Sequence, residues 1–138
     1  MTTTKAAPQA LRRPQIHMID SEAEALAHLA GTMEDRLPEV SEMLLQEINR
    51  AHVHTAARIG DDVVTMKSTV EFKDEASGAA REVQLVYPKD ADIAAGRISI
   101  MTPIGAGLIG LRTGQSINWP DRSGNFRVLT ITRVTHAA

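Results

Sequence analysis

Apolar residues recur at helical spacing in the first part of the chain. One stripe follows Asp20 and Ser21, either of which can cap the start of a helix, and consists of Ala23, Leu26, Ala27, Ala30 and Met33. A second stripe begins after Pro38, because proline is well accepted in the first turn of a helix, and consists of Val40, Leu44, Ile48 and Ala51. Two helices of similar length joined by a short polar turn predict a short antiparallel helical hairpin within residues 14–59.

The pattern changes after Ile59 to β-branched residues and to alternation of polar with apolar positions, which are typical of strands. The sequence predicts one short helix among several strands, in the order Val63–Phe72, Glu82–Tyr87, Arg97–Met101, Pro103–Leu108 (the helix), Gln115–Trp119 and Phe126–Val134. This order indicates an α+β fold in which an antiparallel sheet curls over the short helix. We therefore expect a disordered tail at residues 1–13, the hairpin at 14–59 and a sheet domain at 60–138, with Gly60 as a candidate hinge.

The composition excludes several classes of function. The 138 residues include only two Phe, one Tyr and one Trp, and a net charge of -2 gives no broad attraction to phosphate backbones. Cysteine is absent, which excludes disulfides and thiolate metal sites, and no apolar run approaches the roughly 20 residues that cross a bilayer. We expect a cytoplasmic protein with an aliphatic core, no sequence-specific nucleic-acid partner and no membrane partner.

Few residues have a spacing that indicates catalysis or metal binding. His52 and His54 are two apart, so on a helix they point to different faces, and no further ligand lies near them in sequence. We interpret them as marking a helix end, where a positive charge suits the helix dipole. Gly105, Gly107 and Gly110 lack the lysine of a phosphate-binding loop, and we interpret them as close packing of the short helix against the sheet. No serine has a nucleophile-elbow motif, so we expect no enzymatic activity, no cofactor and no metal.

The junction between the third predicted strand and the short helix resembles a known family. The segment Ile98–Leu111, with the following strand Gln115–Trp119, resembles the C-terminal domain of the bacterial Gre transcript-cleavage factors. The chain also resembles a short branch of this family, the regulators of nucleoside diphosphate kinase, at Asp61–Met66, Leu85–Pro88 and Met101–Gly105. The resemblance covers residues 60–134 well and residues 14–59 in outline.

The resemblance implies an FKBP-like fold for the sheet domain and a contact with the rim of RNA polymerase beside its secondary channel. The docking residues that it implies are Met101, Thr102, Pro103 and Ile104. Pro103 and Ile104 carry over directly, whereas Met101 stands where some Gre factors have an acidic residue, so an apolar contact replaces a polar one. The alternative is that Pro103 only begins the helix.

Glu34 and Asp35 stand at the predicted tip of the hairpin, where Gre factors carry acidic residues that hold a catalytic magnesium ion. Each predicted helix has about 13 residues and spans roughly 20 Å, whereas Gre hairpins are more than twice as long. Two adjacent carboxylates also fall short of the several oxygen ligands that magnesium needs. We therefore expect a monomeric, non-enzymatic regulator that binds RNA polymerase and competes with Gre-type factors. The alternatives are a magnesium-dependent transcript-cleavage factor and an interaction module for another protein.

Overall fold

The computed structural model describes residues 14–120 and 126–137, so the predicted tail at 1–13 and the predicted turn at 121–125 lie outside the described residues. The described elements are, in chain order, β1 (His17–Ile19), α1 (Asp20–Thr32), α2 (Pro38–Arg50), β2 (His52–His54), β3 (Thr69–Asp74), β4 (Ala80–Val86), β5 (Arg97–Ser99), α3 (Pro103–Leu108), β6 (Ser116–Pro120) and β7 (Phe126–Thr135). Two short 3-10 turns, Pro88–Asp90 and Ile93–Ala95, precede β5. This mixture of helices and strands confirms the α+β class.

The two long helices, α1 and α2, have 13 residues each, contact each other and are joined by residues 33–37. α2 begins at Pro38, as the sequence predicts. The apolar stripes face inward, and their most deeply buried members are Leu26, Ala30 and Leu44. None of the helices in the described residues is long and apolar enough to cross a membrane.

A small parallel sheet closes the base of the two helices. β1 directly precedes α1 in the chain, and β2 follows α2. The two strands pair in parallel, with His17 opposite His52. The interpretation of His52 and His54 as a helix end is therefore wrong. The chain becomes extended at Ala51, whose ψ is 146°, because the N–H of His52 donates to the carbonyl of Ile16 at 2.9 Å and joins a strand ladder.

The larger sheet has the strand order β5-β4-β3-β7-β6. Its neighbours are antiparallel except for β4 and β5, which run parallel. The prediction of a wholly antiparallel sheet is therefore wrong at this edge. The cause is the connection through the two 3-10 turns, which carries the chain back alongside β4 to the level of Gln84. β5 therefore starts with Arg97 opposite Gln84 and runs in the same direction as β4.

The first predicted strand, Val63–Phe72, is shorter in the structure, where β3 begins at Thr69. Residues 63–68 form an irregular segment closed by Ser68, whose Oγ accepts the N–H of Thr65 at 2.9 Å. The apolar side chains of this segment are nevertheless buried: Val63, Val64 and Met66. Burial does not alternate here, because residues 63–66 are all buried, so the apolar pattern of this segment reflects burial and not membership of a strand.

A single hydrophobic core joins the helices to the larger sheet. Leu26 and Leu44 from the helices lie in one cluster with Val70, Leu85 and Ile131 from the sheet, and each is at most 1% exposed. The members are aliphatic, apart from Phe72, as the composition predicts. Burial of this size is the main stabilising contribution to the fold.

Hydrogen bonds also cross from the helical part to the sheet. The N–H of Met66 donates to the carboxylate of Glu22 on α1 at 3.0 Å, and the N–H of His17 donates to the carbonyl of Gly110 at 3.0 Å. Both bonds bridge the candidate hinge at Gly60. Together with the shared core, they fix the helices against the sheet.

The carboxyl of Glu22 has a raised pKa, because burial penalises its charged form more than the Met66 N–H and the charge of His136 favour it. Below the ordinary pKa of glutamate the group is protonated in both the folded and the unfolded chain. As the pH rises through the pKa of the folded state, the unfolded chain binds fewer protons than the folded chain, so stability falls. Above that pKa the loss is complete.

We expect Glu22→Gln to remove this loss, because an amide oxygen still accepts the Met66 N–H without carrying a charge. Urea unfolding of the parent and the variant gives the difference in unfolding free energy. It is measured at a pH below the ordinary pKa of glutamate and at a pH above the raised pKa of Glu22. The variant should gain stability relative to the parent as the pH rises. Glu24→Gln, at an exposed position on the same helix, is the control. A difference between parent and Glu22→Gln that does not change with pH would contradict the prediction.

Candidate docking site

The junction between β5 and α3 is held by a compact set of hydrogen bonds. The carbonyl of Ser99 accepts both the N–H of Thr102 at 3.2 Å and its Oγ1–H at 2.7 Å, and Ser99 Oγ accepts the N–H of Met101 at 2.9 Å. Thr102 Oγ1 in turn accepts the N–H of Gly105 at 3.1 Å and so caps α3. A threonine cap followed by proline at the first helical position fixes where the helix begins.

Gly105 lies against the end of β5 so closely that no side chain fits. A Cβ at this position would be 2.2 Å from the carbonyl oxygen of Ser99 and 3.0 Å from the Cα of Ile100. The interpretation of this glycine as a close-packing residue is confirmed. Gly110 is closely packed as well, since a Cβ there would be 2.8 Å from the Cβ of Ile16, and its φ of +83° also places it in a left-handed turn.

The corner formed by Thr102, Pro103 and Ile104 is the accessible part of this junction. Pro103 is exposed, and Thr102 and Ile104 are half-buried. Met101 is only 4% exposed and belongs to the hydrophobic core, so it supports the corner from beneath and offers no apolar contact to a partner. The reason is the turn after β5, which directs Ile100 and Met101 inward one after the other.

The two acids of the hairpin tip, Glu34 and Asp35, lie in the turn between α1 and α2 and are exposed. The turn closes without them, because the carbonyl of Met33 accepts the N–H of Arg36 at 3.1 Å and that of Leu37 at 2.8 Å. Across residues 14–120 and 126–137, no three His, Asp or Glu side chains are grouped so that they could hold a metal ion.

A histidine cluster on the small sheet was not foreseen from the sequence. Nδ1 of His17 and Nε2 of His54 are 2.9 Å apart, so one donates a hydrogen bond to the other, and the ring of His17 stacks on His52 with centroids 5.4 Å apart. Burial, and then the charge of His54, lower the pKa of His17. Residues two apart on a strand share one face, so recognising β2 as a strand would have placed His52 and His54 together.

Comparison with known proteins gives the family. The family described as "Transcription elongation factor, GreA/GreB, C-term" matches residues 59–136. The regulator of nucleoside diphosphate kinase from Escherichia coli is 35% identical over 109 residues, which are 79% of this chain and 80% of the relative. The transcription elongation factor GreA from Azorhizobium caulinodans is 32% identical over 133 residues, covering 89% of this chain and 85% of that factor.

A solved structure supports the same relationship. The prokaryotic transcription elongation factor GreA/GreB from Nitrosomonas europaea superimposes with a TM-score of 0.74 at 38% sequence identity, over 90% of this chain and 100% of that one. The likeness therefore extends beyond the sheet to the two long helices. By sequence and by fold, the chain belongs to the GreA/GreB transcription elongation factor family and is similar over most of its length to a regulator of nucleoside diphosphate kinase.

Proposed function

We propose that this chain is a non-enzymatic regulator of transcription that binds RNA polymerase near its secondary channel and competes there with Gre-type factors. The observation that carries the proposal is the corner at Thr102, Pro103 and Ile104. Its backbone is fixed by the Ser99 carbonyl and the Thr102 cap, and Pro103 is exposed on it. A rigid apolar corner can be docked without losing conformational freedom, which favours binding. We expect a monomer that acts in the cytoplasm, where the polymerase works.

The hairpin supports occupancy of the channel without chemistry. Helices of 13 residues span roughly 20 Å, and part of that length packs against α3. The tip acids Glu34 and Asp35 have no third ligand grouped with them among the described residues, whereas a hard cation needs several converging oxygens. Such a hairpin can block or cover the entrance of the channel. Its reach is short, and its tip offers few ligands for the metal ion that transcript cleavage needs.

The name of the Escherichia coli relative suggests an outcome of this binding. That relative is a regulator of nucleoside diphosphate kinase. We propose that this chain also changes the level of such a kinase, through altered transcription and without direct contact with the enzyme.

The proposal is tested by measuring binding to purified bacterial core RNA polymerase, with and without a competing Gre factor. Replacing Pro103 with alanine should weaken binding about fivefold, because burying the proline ring contributes on the order of 1 kcal/mol. Pro38→Ala is a matched control, since Pro38 is also exposed at the first position of a helix and lies outside the corner.

Two results would contradict the proposal. Equal weakening by both alanine variants would show that the corner is not the docking surface. Failure of the parent protein to bind polymerase at low salt would leave an interaction module for another protein.

A further inference from the structure

A polar cleft lies at the parallel edge of the larger sheet. It has a volume of about 460 Å³, is open to solvent and is lined by Lys67, Gln84, Val86, Lys89, Asp90, Ala91, Asp92 and Arg97. The volume falls in the range of ligand sites, but metabolite pockets are mostly enclosed and apolar. An open polar cleft of this kind fits a side chain that projects from a protein partner better than a buried small molecule.

The cleft carries positive charge that the protein leaves uncompensated. Arg97 is held in place, because its Nε donates to the carbonyl of Asp90 at 3.0 Å and its Nη2 lies 3.6 Å from Asp92 Oδ2. Within the described part of the chain, the structure shows no ion pair for the ammonium of Lys67 or of Lys89. Three basic and two acidic side chains line the cleft, in a protein whose net charge is -2.

The backbone at Lys67 is strained. Its φ of +69° makes it the one non-glycine residue with a positive φ among those described, and lysine is disfavoured in this region. The conformation is held on both sides, since the Lys67 N–H donates to the carbonyl of Leu85 at 2.6 Å and its carbonyl accepts Nε2 of Gln84 at 3.1 Å. Strain of this kind is often retained where it positions a functional side chain, and here it places a lysine at the cleft.

The cleft adjoins the proposed docking corner along β5. Val86, in the wall of the cleft, is the register partner of Ser99, and its carbonyl accepts the N–H of Ile100 at 2.8 Å. Ser99 in turn holds Thr102 of the corner. β5 has three residues, which span roughly 10 Å, so one partner surface can contact the cleft and the corner together.

We infer that this cleft receives acidic side chains from the polymerase surface on which the Thr102–Ile104 corner docks. The inference rests on the proposed function and adds the chemistry of the partner: carboxylates opposite Lys67 and Lys89, beside the Arg97–Asp92 pair. Charge pairs of this type steer association and fix the orientation of a complex, and they weaken as salt rises.

The test is binding of the Lys67→Gln/Lys89→Gln variant to core RNA polymerase at low and at physiological salt. We expect binding about fivefold weaker at low salt and a smaller difference at higher salt, as for two partly exposed charge pairs. Lys73→Gln/Arg81→Gln is the control, because it removes the same charge from exposed positions outside the cleft. It should change affinity by less than about twofold.

Lys67→Gly separates a docking role from a structural one. Glycine accepts a positive φ without strain, so the melting temperature should stay the same or rise while affinity falls. If the cleft variants and the control bind alike while Pro103→Ala binds weakly, the cleft inference is overturned and the docking corner stands. If the parent protein does not bind at all, the proposed function itself fails.

Discussion

Replacing Gly105 with alanine is expected to destabilise the protein by at least about 3 kcal/mol. The added methyl would stand 2.2 Å from the Ser99 carbonyl oxygen, and that oxygen cannot retreat without losing its bonds to Thr102. Ile100, whose Cα would be 3.0 Å from the methyl, is fully buried. The clash is with backbone atoms of Ser99 and Ile100, so rotation of a side chain cannot relieve it. Urea unfolding measures the loss directly.

Gly31→Ala is the matched control and should act in the opposite direction. Gly31 lies in α1, and nothing lies within 4 Å of a Cβ built there. Alanine should therefore stabilise the protein by about 0.5 kcal/mol, because it lowers the entropy of the unfolded chain and favours the helix. A Gly105→Ala variant as stable as the parent would show that the junction between β5 and α3 is looser than described.

Truncation of Leu44 to alanine is the second large effect. Leu44 is 0% exposed and lies in the core cluster that α2 shares with the sheet. Deleting a fully buried leucine side chain costs about 3 kcal/mol, because transfer energy is lost and a cavity remains. Since the core is shared, the loss should appear in the sheet as well as in the hairpin.

Amide hydrogen exchange tests both parts of this prediction. In Leu44→Ala, protection should fall together in α2 and in β3 and β7. Leu45→Ala, at the neighbouring half-buried position, should cost about 1 kcal/mol, since less apolar surface is lost. Loss of protection confined to the two long helices would contradict the shared core and would support the predicted hinge at Gly60.

Local signals in the sequence were sufficient for the helices. Pro38 and Pro103 each begin a helix where proline at the first position predicts it. The predicted cap of α1 is wrong, because Asp20 is already helical and Ile19 stands at the N-cap position without a side-chain hydrogen bond. The α+β class follows from the order of helical and alternating segments. The close packing of Gly105 also follows from its place in a short helix rich in small residues.

The features that the sequence did not predict depend on contacts between distant segments. The parallel pairing of β5 results from the path of residues 87–96, and no periodicity within β5 records it. His17 meets His54 across 37 positions of sequence. The burial of Met101 and the strained backbone of Lys67 also depend on tertiary packing. The detailed structure of the corner and of the cleft could therefore not be predicted from residue types alone.

We propose that this chain occupies the polymerase channel without performing chemistry there. The most direct measurement is the release of short RNA fragments from purified RNA polymerase stalled in a backtracked state. We predict that the chain alone releases none, that it slows the release stimulated by a Gre factor, and that Pro103→Ala slows it less. Release by the chain alone that disappears in Glu34→Ala/Asp35→Ala would contradict occupancy without chemistry and would establish magnesium-dependent cleavage from the hairpin tip.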